Sequence, residues 1–367
     1  MIYLDNSATT KPRAEVLETF IKANTDFYAN PASIHAMGNK AEDLLEGARA
    51  QIAGLLGMPR VIFTSGGTES NNLAIIGTAE SLRPRGKHLI TAATEHASVL
   101  KAMEVLEARG FEITRLAVDA EGKIKLDELQ SALRQDTILV SLMHVNNEIG
   151  TIHPVAQVKK LLDGTRTLLH VDGVQSVGKI ALPEEMPDLF TVSAHKIHGL
   201  KGSGVLAYGD QGGLSPQIHG GGQEAGIRSG TVSVPNAAAL AKALRLAAPR
   251  DEYTAWNREL RSFFAGFPKA RIVSPEGAAP HILSVAVKGI KGEVLVSGLQ
   301  QEGIIVSTSS ACSSKSKSTS HVIEAIALPR EFKDGVIRIS TGAFTSQEEI
   351  ESLKRAFTKV YEIIEGV

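Results

Sequence analysis

The stretch Thr191-Val-Ser-Ala-His-Lys-Ile-His-Gly-Leu-Lys-Gly-Ser-Gly-Val205 sets Lys196 between two histidines, His195 and His198, where an apolar run ends. A lysine held in such a loop is partly desolvated and crowded by imidazoles, and both effects disfavour the ammonium and expose a nucleophilic amine. Schiff-base chemistry with an aldehyde requires that amine. A lone loop lysine is ordinarily a solvated surface residue, so the reading depends on the company Lys196 keeps elsewhere in the chain.

That company is specific. Phe63-Thr-Ser-Gly-Gly-Thr-Glu-Ser-Asn-Asn72 lies between a strand-like and a helix-like run, which places Gly67 and Thr68 at a helix N-terminus whose N–H groups can bind phosphate or simply be capped. No Gly-Lys-Ser/Thr closes the run, and it is not a Gly-x-Gly-x-x-Gly of the dinucleotide kind. His170-Val-Asp-Gly-Val-Gln175 puts Asp172 and Gln175 at the end of a buried strand, where a carboxylate needs a partner such as a pyridinium N–H or a structural hydrogen bond. His96, in Ala93-Thr-Glu-His-Ala-Ser98, can lie over an aromatic ring or move protons. Asn147 and Glu148 follow in Met143-His-Val-Asn-Asn-Glu-Ile-Gly150. Taken alone, the Gly67 and Thr68 run is as well explained by a plain helix cap, and the strand-end groups are better explained by structural packing. Together they supply a phosphate cradle, a carboxylate for a ring nitrogen, an imidazole for a ring face, the hydroxyl of Ser193 with the imidazole of His195, and a lysine amine.

The single cysteine, Cys312, excludes an internal disulfide and a cysteine metal cluster. Most lone cysteines are small buried residues, yet Ser307-Thr-Ser-Ser-Ala-Cys-Ser-Ser-Lys-Ser-Lys-Ser-Thr-Ser320 has almost nothing to bury. An exposed thiol is expected, with Lys315 and Lys317 favouring its thiolate.

The elements that must position these groups read as alternating strand and helix. Short apolar runs at Val61 to Phe63, His88 to Ile90, Ile113 to Val118, Ile138 to Val145, Leu168 to Val171, Leu189 to Val192 and Val205 to Tyr208 are too continuous for a sheet with one wet face. They predict an α/β fold with a largely parallel sheet covered by helices, in which ligands bind beyond the carboxyl ends of the strands. A helix is expected from about Pro12 through Phe20, another from Ala41 to Leu56 stopped by Gly57, and another from Ala237 to Ala247. A new section begins near Pro249, with strands at Ile282 to Val287 and Val336 to Ser340, a helix at Val294 to Gln301 and a closing helix begun by Ser346. Residues 15–249 are expected to form a large cofactor-binding domain. Residues 1–14 with 250–367 are expected to form a smaller α+β domain carrying the cysteine loop at about 307–320.

At 367 residues, two domains are the prior. Charges nearly cancel, 39 basic against 40 acidic side chains, with no long run of one sign. Nothing suggests direct nucleic-acid or membrane binding. The absence of a membrane-length apolar run or a signal peptide points to a cytoplasmic protein.

Over essentially its whole length the sequence resembles the cysteine desulfurases of the NifS and IscS kind, within the class V aminotransferases. The resemblance rests on Tyr3-Leu-Asp-Asn-Ser-Ala-Thr-Thr10, the Thr-Ser-Gly-Gly-Thr-Glu-Ser-Asn-Asn run, Thr94-Glu-His, His144-Val-Asn-Asn-Glu-Ile-Gly, His-Val-Asp-Gly-Val-Gln-Ser-Val-Gly178, the lysine loop, Gly220-Gly-Gly-Gln-Glu-x-Gly-x-Arg-Ser-Gly-Thr231 and Ser-Ser-Ala-Cys312. It implies a fold-type-I enzyme with pyridoxal 5′-phosphate as cofactor. Lys196 would hold the cofactor covalently and carry protons, Asp172 would pair its ring nitrogen, Gln175 would contact its phenolic oxygen and His96 would stack on its face. Gly67, Thr68, Ser193 and His195 would bind its phosphate, with Thr231 contributed by the second subunit of a homodimer. Asn147 would lie by the substrate L-cysteine, and Arg338 would clamp the substrate carboxylate, a task suited to a bidentate guanidinium. Cys312 would take the substrate sulfur as a persulfide, leaving alanine, for delivery to a sulfur-acceptor protein. That acceptor would be of the thiouridine-synthase kind in tRNA thiolation or an iron–sulfur scaffold in cluster assembly.

The sequence departs from many relatives at Ala343, where they carry a basic residue, and Lys315 to Ser320 differs from the housekeeping iron–sulfur members of the family. The wording lies nearer to desulfurases that serve tRNA thiolation. Three rival readings fit the same residues. One is another pyridoxal-phosphate reaction, such as transamination or selenocysteine lysis, with Cys312 incidental. Another is a metal hydrolase built on His170, Asp172, His195 and His198. The last is a sulfur carrier that uses Cys312 alone.

Overall fold

The computed structural model describes residues 1–210, 213–308 and 320–366. Its strands, in chain order, are β1 (Ile2–Tyr3), β2 (Arg60–Thr64), β3 (His88–Ala92), β4 (Glu112–Leu116), β5 (Thr137–Met143), β6 (Leu168–Asp172), β7 (Leu189–Ser193), β8 (Gly204–Tyr208), β9 (Ala270–Ile272), β10 (Ile282–Val287), β11 (Ile304–Ile305), β12 (Ser307–Thr308) and β13 (Val336–Ser340). The α-helices are α1 (Ala14–Asp26), α2 (Ala36–Leu56), α3 (Gly67–Asn72), α4 (Thr78–Leu82), α5 (Ala97–Ala108), α6 (Leu126–Ala132), α7 (Val155–Leu162), α8 (Val234–Leu246), α9 (Asp251–Ala265), α10 (Gly292–Gln301), α11 (His321–Ala325), α12 (Arg330–Lys333) and α13 (Gln347–Glu365).

The apolar runs form one seven-stranded sheet in the order β2-β8-β7-β6-β5-β3-β4. Strands β7, β6, β5, β3 and β4 run parallel, while β8 is antiparallel to both β7 and β2. Every residue of β3, β5, β6, β7 and β8 is buried. This is the signature of a sheet covered on both faces. One face packs on Ile52 of α2 and Leu240 of α8, the other on Leu73, Met103 and Leu106.

Two helix starts differ from the sequence reading. Helix α1 begins at Ala14, after Pro12, and runs on to Asp26. Helix α2 begins at Ala36 rather than Ala41, because Nδ1 of His35 accepts the N–H of Gly38 at 3.1 Å and caps the helix a turn earlier. Gly38 is required there, since a Cβ would lie 2.1 Å from the carbonyl oxygen of Ser33. Gly57 ends the helix with φ +63, as its position after Leu56 predicts. Between α3 and α4 the chain makes a π-helical turn, Leu73–Gly77, that no residue pattern announced.

The second section builds a four-stranded sheet, β12-β13-β10-β9, with β10 antiparallel to β13. Its core contains Leu4, Trp256, Phe264, Leu283, Ile337 and Phe357. The rings of Phe264 and Phe357 meet edge to face at 4.8 Å, worth about 1 kcal/mol beyond area burial. The N-terminus joins this section through β1, which pairs in parallel with β11, and through a bridge from Asp5 to Ser340. Ser346 opens α13 with a reciprocal capping box to Glu349.

Candidate active site

Lys196 ends a single 3₁₀ turn, Ala194–Lys196, that follows directly on β7. The return into β8 is tight. A Cβ on Gly199 would lie 2.8 Å from the carbonyl of Ala194, and one on Gly204 would lie 2.7 Å from Cα of Gly66. The N-terminal segment laces onto this loop: the N–H of Thr10 donates to the carbonyl of His195 at 2.8 Å, and the N–H of Arg13 donates to that of His198 at 3.0 Å. Through this lacing, Nζ of Lys196 donates to the carbonyls of Ser7 and, at 2.9 Å, Ala8.

His195 and His198 part company here. Nδ1 of His195 lies 3.1 Å from Oγ1 of Thr9, and burial, helped by the nearby Lys196 ammonium, lowers its pKa to about 4. His198 is fixed by backbone on both nitrogens, Nδ1–H donating to the carbonyl of Lys11 at 2.8 Å and Nε2 accepting the N–H of Ala343 at 3.1 Å. His170 is likewise occupied, with Oγ of Ser141 at 2.8 Å and Oγ1 of Thr191 at 3.0 Å. The four groups of the metal-hydrolase reading therefore do not converge. Among the described residues no cluster of three or more His, Cys, Asp or Glu side chains could hold a metal ion.

The loop between β2 and α3 passes beside Ser193. Gly66 has φ +148, and a Cβ on Gly67 would meet Cγ2 of Val174 at 3.0 Å and Cβ of Ser193 at 3.6 Å. Oγ of Ser193 is buried without a hydrogen-bond partner, next to the first turn of α3. A helix leaves its first N–H groups without intrahelical acceptors. An orphaned hydroxyl against such N–H groups, in a cradle that a side chain would fill, fits a bound phosphate.

Asp172 ends β6 beside Thr191 of β7, two residues before Ser193. Its Oδ2 accepts from Nδ2 of Asn71 at 2.7 Å and its Oδ1 from the N–H of Val174 at 3.0 Å. Asn71 also donates to Oγ of Ser98 at 2.9 Å, and Ser98 reaches Nδ1 of His96 at 2.8 Å. Burial lowers the pKa of His96, which caps α5. Gln175 donates from Nε2 to the same Ser7 carbonyl that Lys196 reaches, at 2.9 Å, and accepts from Nζ of Lys179 at 3.0 Å. Burial, with Lys196 and Arg338 adding repulsion, lowers the pKa of Lys179 to about 7.

Arg338, on β13, is buried with 3% of its surface exposed. It donates to Oδ1 of Asp5 at 2.8 Å and to the carbonyl of Asn147 at 2.9 Å, while its Nε has no acceptor. Next to Asn147, Glu148 accepts from Oγ of Ser320 at 2.5 Å, and burial raises its pKa to about 7. Glu95, beside His96, is wholly buried, with its pKa raised well above the usual carboxylate range by desolvation.

The structure thus gathers Gly67, Ser193, His195, Lys196, Asp172, Gln175 and His96 around the carboxyl ends of β6 and β7, and joins Arg338 to Asn147. Thr68 lies exposed on the first turn of α3, and Thr231 is exposed on the protomer. Cys312 lies outside the described residues. Sequence reasoning gave no role to Asn71, Ser98, Lys179 or Asp5. Asn71 and Lys179 carried a usable signal, being polar residues one helical step from a site residue, Asn71 four after Gly67 and Lys179 four after Gln175.

A protein of Lactobacillus delbrueckii subsp. bulgaricus described as "NifS/IcsS protein homolog" is 43% identical to the chain over 376 residues, 99% of this chain and 97% of that one. The "Cysteine desulfurase IscS" of Dictyoglomus turgidum is 41% identical over 360 residues, 95% of this chain and 91% of its own. Among solved structures, one described as "NIFS-LIKE PROTEIN" matches with a TM-score of 0.90 at 36% identity, each chain covered in full. Another, "SspA in complex with cysteine", matches at 0.83 and 31% identity over 94% of this chain and 100% of that one. Residues 2–353 match the family Aminotransferase class-V. The chain therefore belongs to the class-V aminotransferases, the family of pyridoxal-phosphate-dependent enzymes that includes the NifS-like proteins.

Proposed function

We propose that the protein is a cysteine desulfurase that converts L-cysteine to L-alanine and leaves the sulfur on Cys312 as a persulfide. The observation that carries the reading is the placing of Lys196 and the orphaned Ser193 hydroxyl at the end of β7, with Asp172 at the end of the neighbouring β6. Pyridoxal phosphate, when bound, supplies an electron sink for charge that develops on the substrate carbons.

The residues divide the remaining work. The first turn of α3 at Gly67 and Thr68, with Ser193 and His195, would hold the phosphate. Asp172 would accept the ring N–H, Gln175 would contact the phenolic oxygen and His96 would pack on the ring. Lys196 would anchor the group by its amine and carry protons. Arg338 binds the substrate carboxylate beside Asn147. The Cys312 thiolate attacks the substrate sulfur; the S–S bond forms as the C–S bond breaks, and its electron pair stays on carbon, which takes a proton. Sulfur is oxidised and carbon reduced within one step, so no outside oxidant is needed.

Two further points belong to the same reading. A homodimer, with Thr231 contributed to the partner's phosphate site, is supported by the exposure of Thr231 and of the apolar Leu17, Ile21, Tyr28, Ile34 and Met37. The persulfide is passed to an acceptor protein, of the thiouridine-synthase kind or an iron–sulfur scaffold, in a reducing compartment such as the cytoplasm, where a lone thiol stays available. Among the described residues no helix is long and apolar enough to cross a membrane.

The test is turnover of free cysteine by the wild type and by Cys312→Ser. The reading requires alanine and sulfide from the wild type, and their loss in the variant with cofactor still bound. Equal turnover by the variant would move the function to another pyridoxal-phosphate reaction.

A further inference from the structure

The ring of His96 is committed on one side. Its Nδ1 accepts the backbone N–H of Ser98 at 3.2 Å, the bond by which His96 caps α5. A ring nitrogen that accepts carries no proton, so in the neutral imidazole the proton sits on Nε2. The Ser98 hydroxyl lies 2.8 Å from the same Nδ1. Which way that contact runs follows from Asn71, whose Nδ2 is donor-only and gives one hydrogen to Ser98 Oγ at 2.9 Å and the other to Asp172 Oδ2 at 2.7 Å. Turning the amide over would set Oδ1 against the carboxylate oxygen of Asp172, which can only accept, and break that bond. Ser98 Oγ is therefore an acceptor from Asn71, and its own hydrogen is left for His96. Asn71, Ser98 and Asp172 are all buried, with 1%, 7% and 6% of their surfaces exposed, so water does not compete for these bonds.

We propose that Asn71 and Ser98 are positioning residues that tie the carboxylate of Asp172 to the ring of His96 and hold His96 as its Nε2–H tautomer. The chain of bonds stands on geometry alone; its meaning for the reaction rests on the proposed function, in which Asp172 and His96 both contact the cofactor. With its lone pair engaged by Ser98, His96 can offer a substrate only a hydrogen-bond donor, through Nε2. Accepting a proton at Nδ1 would remove the cap from α5, so these bonds bias the resting ring against the imidazolium.

The experiment uses the holoenzyme labelled with ¹⁵N-histidine, with the His96 resonances assigned by comparison with His96→Gln. The expected spectrum has a protonated, pyrrole-type Nε2 and an unprotonated, pyridine-type Nδ1. In Asn71→Leu the Nδ1 resonance shifts, because Ser98 loses the donor that polarises it, and cofactor retention weakens roughly tenfold, as for one lost hydrogen bond to a charged group. A protonated Nδ1 in the wild type overturns the proposal, and so does an Asn71→Leu spectrum with Nδ1 unmoved. Should Asn71→Leu fail to fold, the wild-type tautomer still decides. Purified protein without a visible cofactor band would sink the proposed function instead, and the ¹⁵N spectrum of His96 would still be read for the tautomer.

Discussion

Arg338 donates from Nη2 to Oδ1 of Asp5 at 2.8 Å, a contact that spans 333 positions of sequence and ties the segment after β1 to β13. The remaining Nε of this buried guanidinium has no acceptor. An anchored fork with a donor in reserve suits a carboxylate ligand, and lysine cannot reproduce it. Arg338→Lys is expected to raise KM for cysteine about tenfold or more while the cofactor's visible band is kept. An unchanged KM would remove Arg338 from the substrate site.

Lys179 provides a pH signature. Its pKa is about 7 against an ordinary 10.5, chiefly through burial. Between those values the unfolded chain binds more protons than the folded one, so this group makes stability rise with pH across that window. Lys179→Met should flatten the rise between pH 7 and pH 10, while the Gln175 amide keeps its orientation through the Ser7 carbonyl. Thermal midpoints measured against pH check the first effect. An unaltered slope would contradict the buried-lysine reading.

Acid should destabilise the protein through its histidines. Burial lowers the pKa of His144, His153, His170, His195 and His198 to about 4. Stability from such groups is present above the unfolded value of 6.5 and lost as pH falls toward 4, by roughly 3 kcal/mol for each of the fully buried rings of His153 and His170. Glu148, raised to about 7, and the buried Glu95, raised well above the usual carboxylate range, work in the opposite direction, but they are two groups against five histidines. The thermal midpoint should be lower at pH 4.5 than at pH 7. Equal midpoints would mean that these rings are more hydrated than the structure shows.

The segment that carries Thr231 is held by ion pairs. Glu224 and Ala225 adopt left-handed φ values of 51° and 56°, unusual for residues other than glycine. Arg49 holds the buried Glu224 by two contacts, at 2.8 and 2.6 Å, and Arg228 donates to Glu69 of α3 at 2.7 Å. Removing one partner of a buried pair leaves an uncompensated charge, at about 3–5 kcal/mol. Arg49→Leu should therefore lower the thermal midpoint by several degrees and weaken the proposed homodimer, as read by sedimentation. Neither change would show that the pair does not shape this segment.

Much of this arrangement was legible in the sequence because it is local. The apolar runs from Val61 to Tyr208 are strands, since residues buried on both faces leave an unbroken pattern, and Gly57 marks a helix end because few other residues take its φ. What was hidden depends on contacts between distant segments. The Asp5–Arg338 pair spans 333 positions, and the bond from Asn71 to Asp172 spans 101. The early start of α2 was hidden for another reason: histidine at position 35 is an uncommon cap, and its acceptor role appears only once Gly38 lets Ser33 approach. The π turn at Leu73–Gly77 has no side-chain signature at all.

Joint action of Lys196 and Cys312 on cysteine can be read by mass spectrometry. The purified holoenzyme is exposed briefly to cysteine without reductant and digested. One additional sulfur is expected on the Cys312 peptide, and none in Lys196→Ala under the same treatment. A Cys312 peptide of unchanged mass, from wild-type protein that holds its cofactor and consumes cysteine, would contradict it.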